Sequence, residues 1–246
     1  QSCPKGIVTA QAQIAMRSAP KTRAARRAFN VEDLRSAAPL PETTDEVCAV
    51  AAAVGAPETD IYLGERATVR TIKQLAQRNA LAEFRVVHFA SHGLVAGGRS
   101  ALEQALTEPA ILLTPPPKGT TGRALEEDDG LLKASDVAAL KLNADWVVLS
   151  ACNTAAGSGT HAEPLAGLAR AFFHAGARAL LVSHWEVDSD AAVNLVTRAF
   201  AEMVRDPKTT RGRALQVAMT ELAGSADPRV AHPAHWAPFV VVGDGR

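Results

Sequence analysis

Continuous apolar runs separated by helical patterns constrain this chain more than any other feature. Phe84-Arg-Val-Val-His-Phe-Ala90, Trp146-Val-Val-Leu-Ser150, Ala179-Leu-Leu-Val-Ser183 and Pro238-Phe-Val-Val-Val242 each read as a strand, and Ile61 to Leu63 as a shorter one. A strand wet on one face alternates apolar and polar residues, whereas an unbroken run marks a strand covered on both faces. The segments between the runs carry helix signals. Thr43 or Thr44 can cap a helix that reaches Val54 and closes at Gly55. Ala67 to Asn79 places Val69, Ile72, Leu75 and Ala76 on one face, and Ser135 and Asp136 open a short helix. Pro164 starts a helix stopped by Gly176, Asp188 or Ser189 caps one reaching about Arg205, and another covers roughly Arg211 to Ala223. Strand and helix in alternation predict an α/β fold, a mostly parallel sheet with helices on both faces. Leu94 to Gly130 reads as a long irregular connection around the apolar run Ile111 to Leu113.

Composition narrows the partners. With Lys+Arg and Asp+Glu both at 26, the net charge is zero, so there is no global attraction to nucleic acid or to an anionic membrane. No apolar run approaches the roughly 18 residues of a membrane span, and no membrane partner is expected. Lys21, Arg23, Arg26 and Arg27 read as a charged surface segment, with partner binding as the alternative. Cys3, Cys48 and Cys152 are odd in number and far apart, so neither a disulfide framework nor a CxxC metal pair can be read from them. A reducing, cytoplasmic setting fits that usage. No cofactor is expected, and no metal site from the scattered His161, His174, His232 and His235. The start at Gln1, with no apolar signal core after it, suggests a piece of something longer. Residues 1–38 read as an N-terminal extension, or the remainder of an upstream region, and 39–246 as the folded domain.

Parallel sheets of this kind place ligand sites beyond the carboxyl ends of their strands. Three successive runs end in His92-Gly93, in Cys152-Asn153-Thr154 and in His184-Trp185-Glu186-Val187-Asp188. If these strands are neighbours, the three endings line one crevice. A thiol and an imidazole there suit nucleophilic attack on a carbonyl, with the imidazole supporting the thiolate or protonating the leaving amine. The backbone N–H groups of Gly93, which has no side chain, and of Cys152 are candidate donors to the oxyanion. Asn153 and Thr154 are expected to hold the nucleophile turn through side-chain-to-backbone bonds. His88 is expected to support the site by hydrogen bonding, and His184 either supports a pocket or packs. Glu163, Asp188 and Asp190 can each cap a helix.

Val86-Val-His-Phe-Ala-Ser-His-Gly93 and Val147-Val-Leu-Ser-Ala-Cys-Asn-Thr154 together resemble the CHAT family of caspase-like cysteine peptidases, relatives of separase. The resemblance continues through Gly167-Leu-Ala-Arg-Ala-Phe172, Gly176-Ala-Arg178, Ser183-His-Trp-Glu-Val-Asp188 and the closing stretch from His232 to Gly243, and covers roughly Pro39 to Gly243. It implies a caspase-like fold. It also implies catalysis by the histidine directly before glycine, which is His92 and not His88, with the cysteine after Ser-Ala, Cys152, as nucleophile. The implied partners are a protein substrate cut after a particular P1 residue and a sensor, often a TPR region. In relatives that cut after Arg or Lys an acid lines the P1 pocket, a role Asp188 or Glu163 would take here. Leu94 to Gly130 is variable in that family and inherits nothing. The alternative is a catalytically silent caspase-like interaction module, and an acyl transferase or esterase using the same pair is a third reading.

Overall fold

The computed structural model describes residue 3, residues 31–35, residue 40, and residues 42–98, 100–150, 164–184, 187 and 189–246. Among the described residues the α-helices, in chain order, are α1 (Val31–Arg35), α2 (Glu42–Val54), α3 (Val69–Gln77), α4 (Ala101–Ala105), α5 (Arg123–Glu127), α6 (Ala134–Ala138), α7 (Pro164–Ala175), α8 (Ser189–Arg205), α9 (Arg211–Ala223) and α10 (Pro228–Ala231). The strands are β1 (Val86–Phe89), β2 (Gly93–Leu94), β3 (Ala110–Leu112), β4 (Leu131–Lys133), β5 (Trp146–Leu149), β6 (Ala179–Ser183) and β7 (Phe239–Gly243).

Among the described residues, four strands form the main sheet in the order β1-β5-β6-β7. β1, β5 and β6 run parallel, so the expected mostly parallel α/β sheet is present, while β7 closes the edge antiparallel to β6. Alternate side chains of the buried runs feed two cores. Val147, Leu149, Leu180 and Val182 face α3, α6 and α7 through Leu75, Val137, Leu168 and Phe172. Trp146, Val148, Ala179 and Leu181 face α2, α8 and α9 through Val50, Leu195, Phe200 and Leu215. An aromatic pair anchors each core: Phe89 meets Phe172 at 5.7 Å between ring centroids, and Trp146 meets Phe200 at 5.0 Å. Such pairs contribute about 1 kcal/mol beyond the area they bury.

Two helix caps are formed by threonines not singled out in the sequence. Thr68 accepts a bond from the Thr71 N–H at the start of α3, and Thr210 one from the Arg213 N–H at the start of α9. At the far end of α7, Gly176 has φ +109°, a conformation that side chains rarely adopt, and the chain turns there into β6.

Several expectations are corrected. Ile61 to Leu63 is extended but is not a strand. Ile61 and Leu63 are instead buried against α2 near Cys3 and Cys48. The Leu94 to Gly130 segment is not irregular throughout. It supplies α4, α5 and β3, and β3 pairs with β2 and β4 at the two ends of the segment in an antiparallel sheet whose Ile111 and Leu132 enter the core. Thr43 lies inside α2, not at its cap, and its hydroxyl donates to the Leu40 carbonyl. Cys3 and Cys48 form a disulfide with a Cα–Cα distance of 5.6 Å, which the cysteine count alone did not reveal. Val31 and Leu34 of α1 are buried, Leu34 against Ala110, Leu112 and Leu131 of the small sheet. The basic stretch at Lys21 to Arg27 lies outside the described residues.

Candidate active site

The register between β1 and β5 determines what their ends can do. Phe89 is paired with Leu149, and β6 lies on the other side of β5. His92 and Cys152 each follow that pair by three residues. Adjacent strands run about 4.8 Å apart, so the ends of β1 and β5 that lead to these two positions are neighbours. The condition stated for the crevice, that the three strands be neighbours, is met. Cys152, Asn153, Thr154, His161, Glu163 and Asp188 lie outside the described residues.

The backbone of His92 is fixed from the small sheet. The Leu112 N–H donates to the His92 carbonyl at 2.9 Å, and the Ser91 hydroxyl donates to the Leu112 carbonyl. This ties both residues of the turn after β1 to one residue of β3, and the His92 side chain is half-buried. The same bond orients Gly93. In an antiparallel ladder the N–H and C=O of one residue point the same way and those of the next point oppositely. Since the His92 carbonyl faces β3, the Gly93 N–H is turned away from β3, toward the open edge of the small sheet. Gly93 itself is buried. The loop after β2 is shaped by Glu103, which is 6% exposed and accepts from the Val95 N–H at 3.2 Å and the Ser100 N–H at 3.0 Å.

His88 sits below the strand ends on the core side facing α2 and α8, in line with Val86 and, across β5, Val148. Its Nε2 is 2.8 Å from Glu46 Oε1 and 3.2 Å from the Ser150 hydroxyl. His88 is therefore hydrogen-bonded through its Nε2 to a helix and to the end of β5. Its main partner, Glu46, went unread in the sequence. The signal was there: Glu46 precedes Val50 by four residues, so a carboxylate occupies the apolar stripe of an amphipathic helix. His184 is exposed at the end of β6, and its N–H donates to the Pro238 carbonyl at 2.9 Å. Asp190 is exposed in the first turn of α8. His174 and His232 are exposed and His235 half-buried, and among the described residues no cluster of His, Cys, Asp or Glu is arranged to hold a metal. No helix there is long and apolar enough to cross a membrane.

The opposite end of the sheet carries a different chemistry. Asp145, just before β5, is bound by Arg85 Nε and by Arg178 Nη1, each at 2.6 Å, which ties the starts of β1, β5 and β6 together. Charge there serves structure, whereas the polar contacts of His88 and Ser150 lie toward the carboxyl end.

Among known proteins, tetratricopeptide repeat protein 28 of Mus musculus is 28% identical over 225 residues, which is 83% of this chain and 9% of that protein. The Homo sapiens protein of the same name is 26% identical over 226 residues, 83% of this chain and 8% of that protein. The chain thus spans less than a tenth of the length of these curated relatives. A match to the CHAT domain runs from residue 3 to residue 244, across both sheets and all the helices that cover them, and by it the chain belongs to the CHAT family.

Proposed function

We propose that this domain is a cysteine endopeptidase that cleaves a protein partner at one or few sites, with His92 and Cys152 as its catalytic pair. The observation that carries the reading is the register Phe89–Leu149, from which both residues depart at equal distance on adjacent parallel strands. In the reaction the Cys152 thiolate attacks the scissile carbonyl carbon, forming a C–S bond. The oxyanion accepts hydrogen bonds from the N–H groups of Gly93 and Cys152. The His92 imidazolium gives its proton to the leaving amine as the C–N bond breaks. Water then loses a proton to His92, forms the C–O bond and displaces the thiolate. Supporting the oxyanion role of Gly93 is its N–H, which points away from β3.

Asp188, with Glu163 as the second candidate, would receive the P1 side chain. A carboxylate at the crevice rim accepts paired hydrogen bonds from a guanidinium, which favours Arg, and Lys next. Control would come from a sensor. The mouse and human relatives are named for tetratricopeptide repeats and extend far beyond the matched region. A repeat region in the same parent chain or on a partner is the sensor that fits. A cytoplasmic setting, expected from sparse cysteines, carries less weight beside the Cys3–Cys48 bond, because proteins of reducing compartments rarely keep a structural disulfide.

A thiol-directed peptidyl probe and a substrate library test the reading on wild type and on Cys152→Ala. The exchange removes little volume, so the variant keeps its fold and melting temperature while losing probe labelling and cleavage. Cleavage by Cys152→Ala at the wild-type rate would refute the assignment. A wild-type protein that neither labels nor cleaves is the silent interaction module.

A further inference from the structure

Beneath the strand ends lies a polar cluster that an apolar core does not require. Glu46 of α2 is 3% exposed, and the side chains of His88 and Glu46 retain 9% and 4% of their accessible surface. Glu46 Oε1, His88 Nε2 and the Ser150 hydroxyl meet at 2.8 and 3.2 Å, and that hydroxyl lies 3.4 Å from the Phe89 carbonyl. The contact joins a carboxylate oxygen of Glu46 to the ring nitrogen Nε2 of His88, and a hydrogen bond between them fixes the direction in which the ring faces. The other ring nitrogen, Nδ1, is buried with no partner among the described residues, so the ring is oriented through Nε2, where the contact to Glu46 is the shorter of the two. One turn along the same helix face, Val50 packs into the core with 4% exposure, so burial alone is satisfied there by an apolar residue. What Glu46 adds is direction, since hydrogen bonds fix angle and distance where apolar contacts do not.

That direction is imposed where it matters. His88 precedes His92 by four residues, and Ser150 precedes Cys152 by two. The cluster therefore joins α2 to the carboxyl ends of both strands leading to the proposed pair, through His88 near the end of β1 and Ser150 just after β5. We infer that Glu46 is a positioning residue, holding the carboxyl ends of β1 and β5 in the relation that lets the imidazole of His92 support the thiolate of Cys152. The inference rests on the peptidase reading for the identity of that pair, and on the geometry of Glu46, His88 and Ser150 for the rest.

Alkylation by iodoacetamide reads thiolate support without any substrate, and with Cys3 and Cys48 joined, Cys152 is the free thiol. The full chain is compared, non-reduced, as wild type, Glu46→Met, Glu46→Gln and Val50→Ala. Glu46→Met keeps volume but loses the acceptor, and its alkylation at neutral pH is expected to slow about tenfold or more, the scale of a small misplacement at a reacting centre. Glu46→Gln, whose amide offers both an acceptor and a donor to Nε2, stays near wild type. Val50→Ala, which loosens the same helix without touching His88, leaves the rate unchanged. An activated wild-type thiol indifferent to Glu46→Met overturns the inference alone, as does equal slowing in Val50→Ala. A wild-type thiol no faster than a free cysteine removes the peptidase reading and the inference with it. Should Glu46→Met not fold, Glu46→Asp, one methylene short of His88, takes its place: slowing supports the inference and an unchanged rate overturns it.

Discussion

The corner at Gly176 allows a stability prediction in which conformation and crowding can be separated. A Cβ added to Gly176 would stand 2.3 Å from the Leu142 carbonyl oxygen and 3.1 Å from its carbon. Leu142 cannot move aside freely, because its N–H donates to the Ala175 carbonyl at 2.7 Å, and the Arg178 N–H donates to the Ala144 carbonyl at 2.9 Å. The two bonds bracket the overlap, so relieving it shifts the start of β6. Gly55, at the end of α2, is the matched control, with φ +68° and nothing within 4 Å of the added carbon. Gly55→Ala should cost the left-handed conformation only, about 1 kcal/mol. For Gly176→Ala the strain is about 2 kcal/mol and the overpacking about 2 kcal/mol more, giving about 4 kcal/mol. At this chain length 1 kcal/mol lowers the melting temperature by about 3 °C, so losses of about 3 °C and 12 °C are expected. Thermal and urea unfolding followed by far-ultraviolet circular dichroism, with the disulfide intact, gives both values. Variants matching within about 1 kcal/mol would refute the argument that the Leu142 carbonyl closes this corner.

Two further outcomes bear on the proposed chemistry. His92→Ala should lower kcat/KM by about 10³-fold while melting near wild type, because the bond from Leu112 to residue 92 is made by backbone atoms; activity within tenfold of wild type contradicts the assignment. Asp188→Asn should weaken a P1 preference for Arg or Lys in a library varied at that position, whereas a preference for Asp, or a neutral preference the variant does not change, leaves Asp188 as a helix cap.

The parts of the fold legible in the sequence are those where one property dominates. Ala179 to Ser183 and Arg211 to Ala223 match the elements found, because an unbroken apolar run or a capped amphipathic stretch admits few alternatives. The direction of β7 was not legible: Phe239 to Gly243 is equally apolar in a parallel or an antiparallel strand, and only the path through α8 and α9 decides it. β2 and β3, at two and three residues, are too short to display a period inside a segment rich in Pro and Gly. Ile61 to Leu63 misled for the opposite reason, since a short apolar run reads the same whether it pairs or simply packs. At the site, His88 could be read as a support because it lies within a strand run four residues before His92. Glu46 comes from a helix 42 residues away, and its approach exists only in the folded chain.

The Cys3–Cys48 bond makes the first part of the chain a closed ring, with residues 3 and 48 joined through sulfur as well as through 45 peptide steps. In the unfolded chain, closing a ring of this size restricts conformations by an amount equivalent to about 4 kcal/mol. Its topological effect is separate from its energy. A single backbone cut anywhere between the two cysteines opens the ring without dividing the molecule. The piece ending before the cut stays tethered to α2 until a reductant reaches the sulfurs. Such a nicked protein migrates as one species on a non-reducing gel and as two on a reducing one. Release of its N-terminal piece therefore takes two events of different kinds, one hydrolytic and one redox.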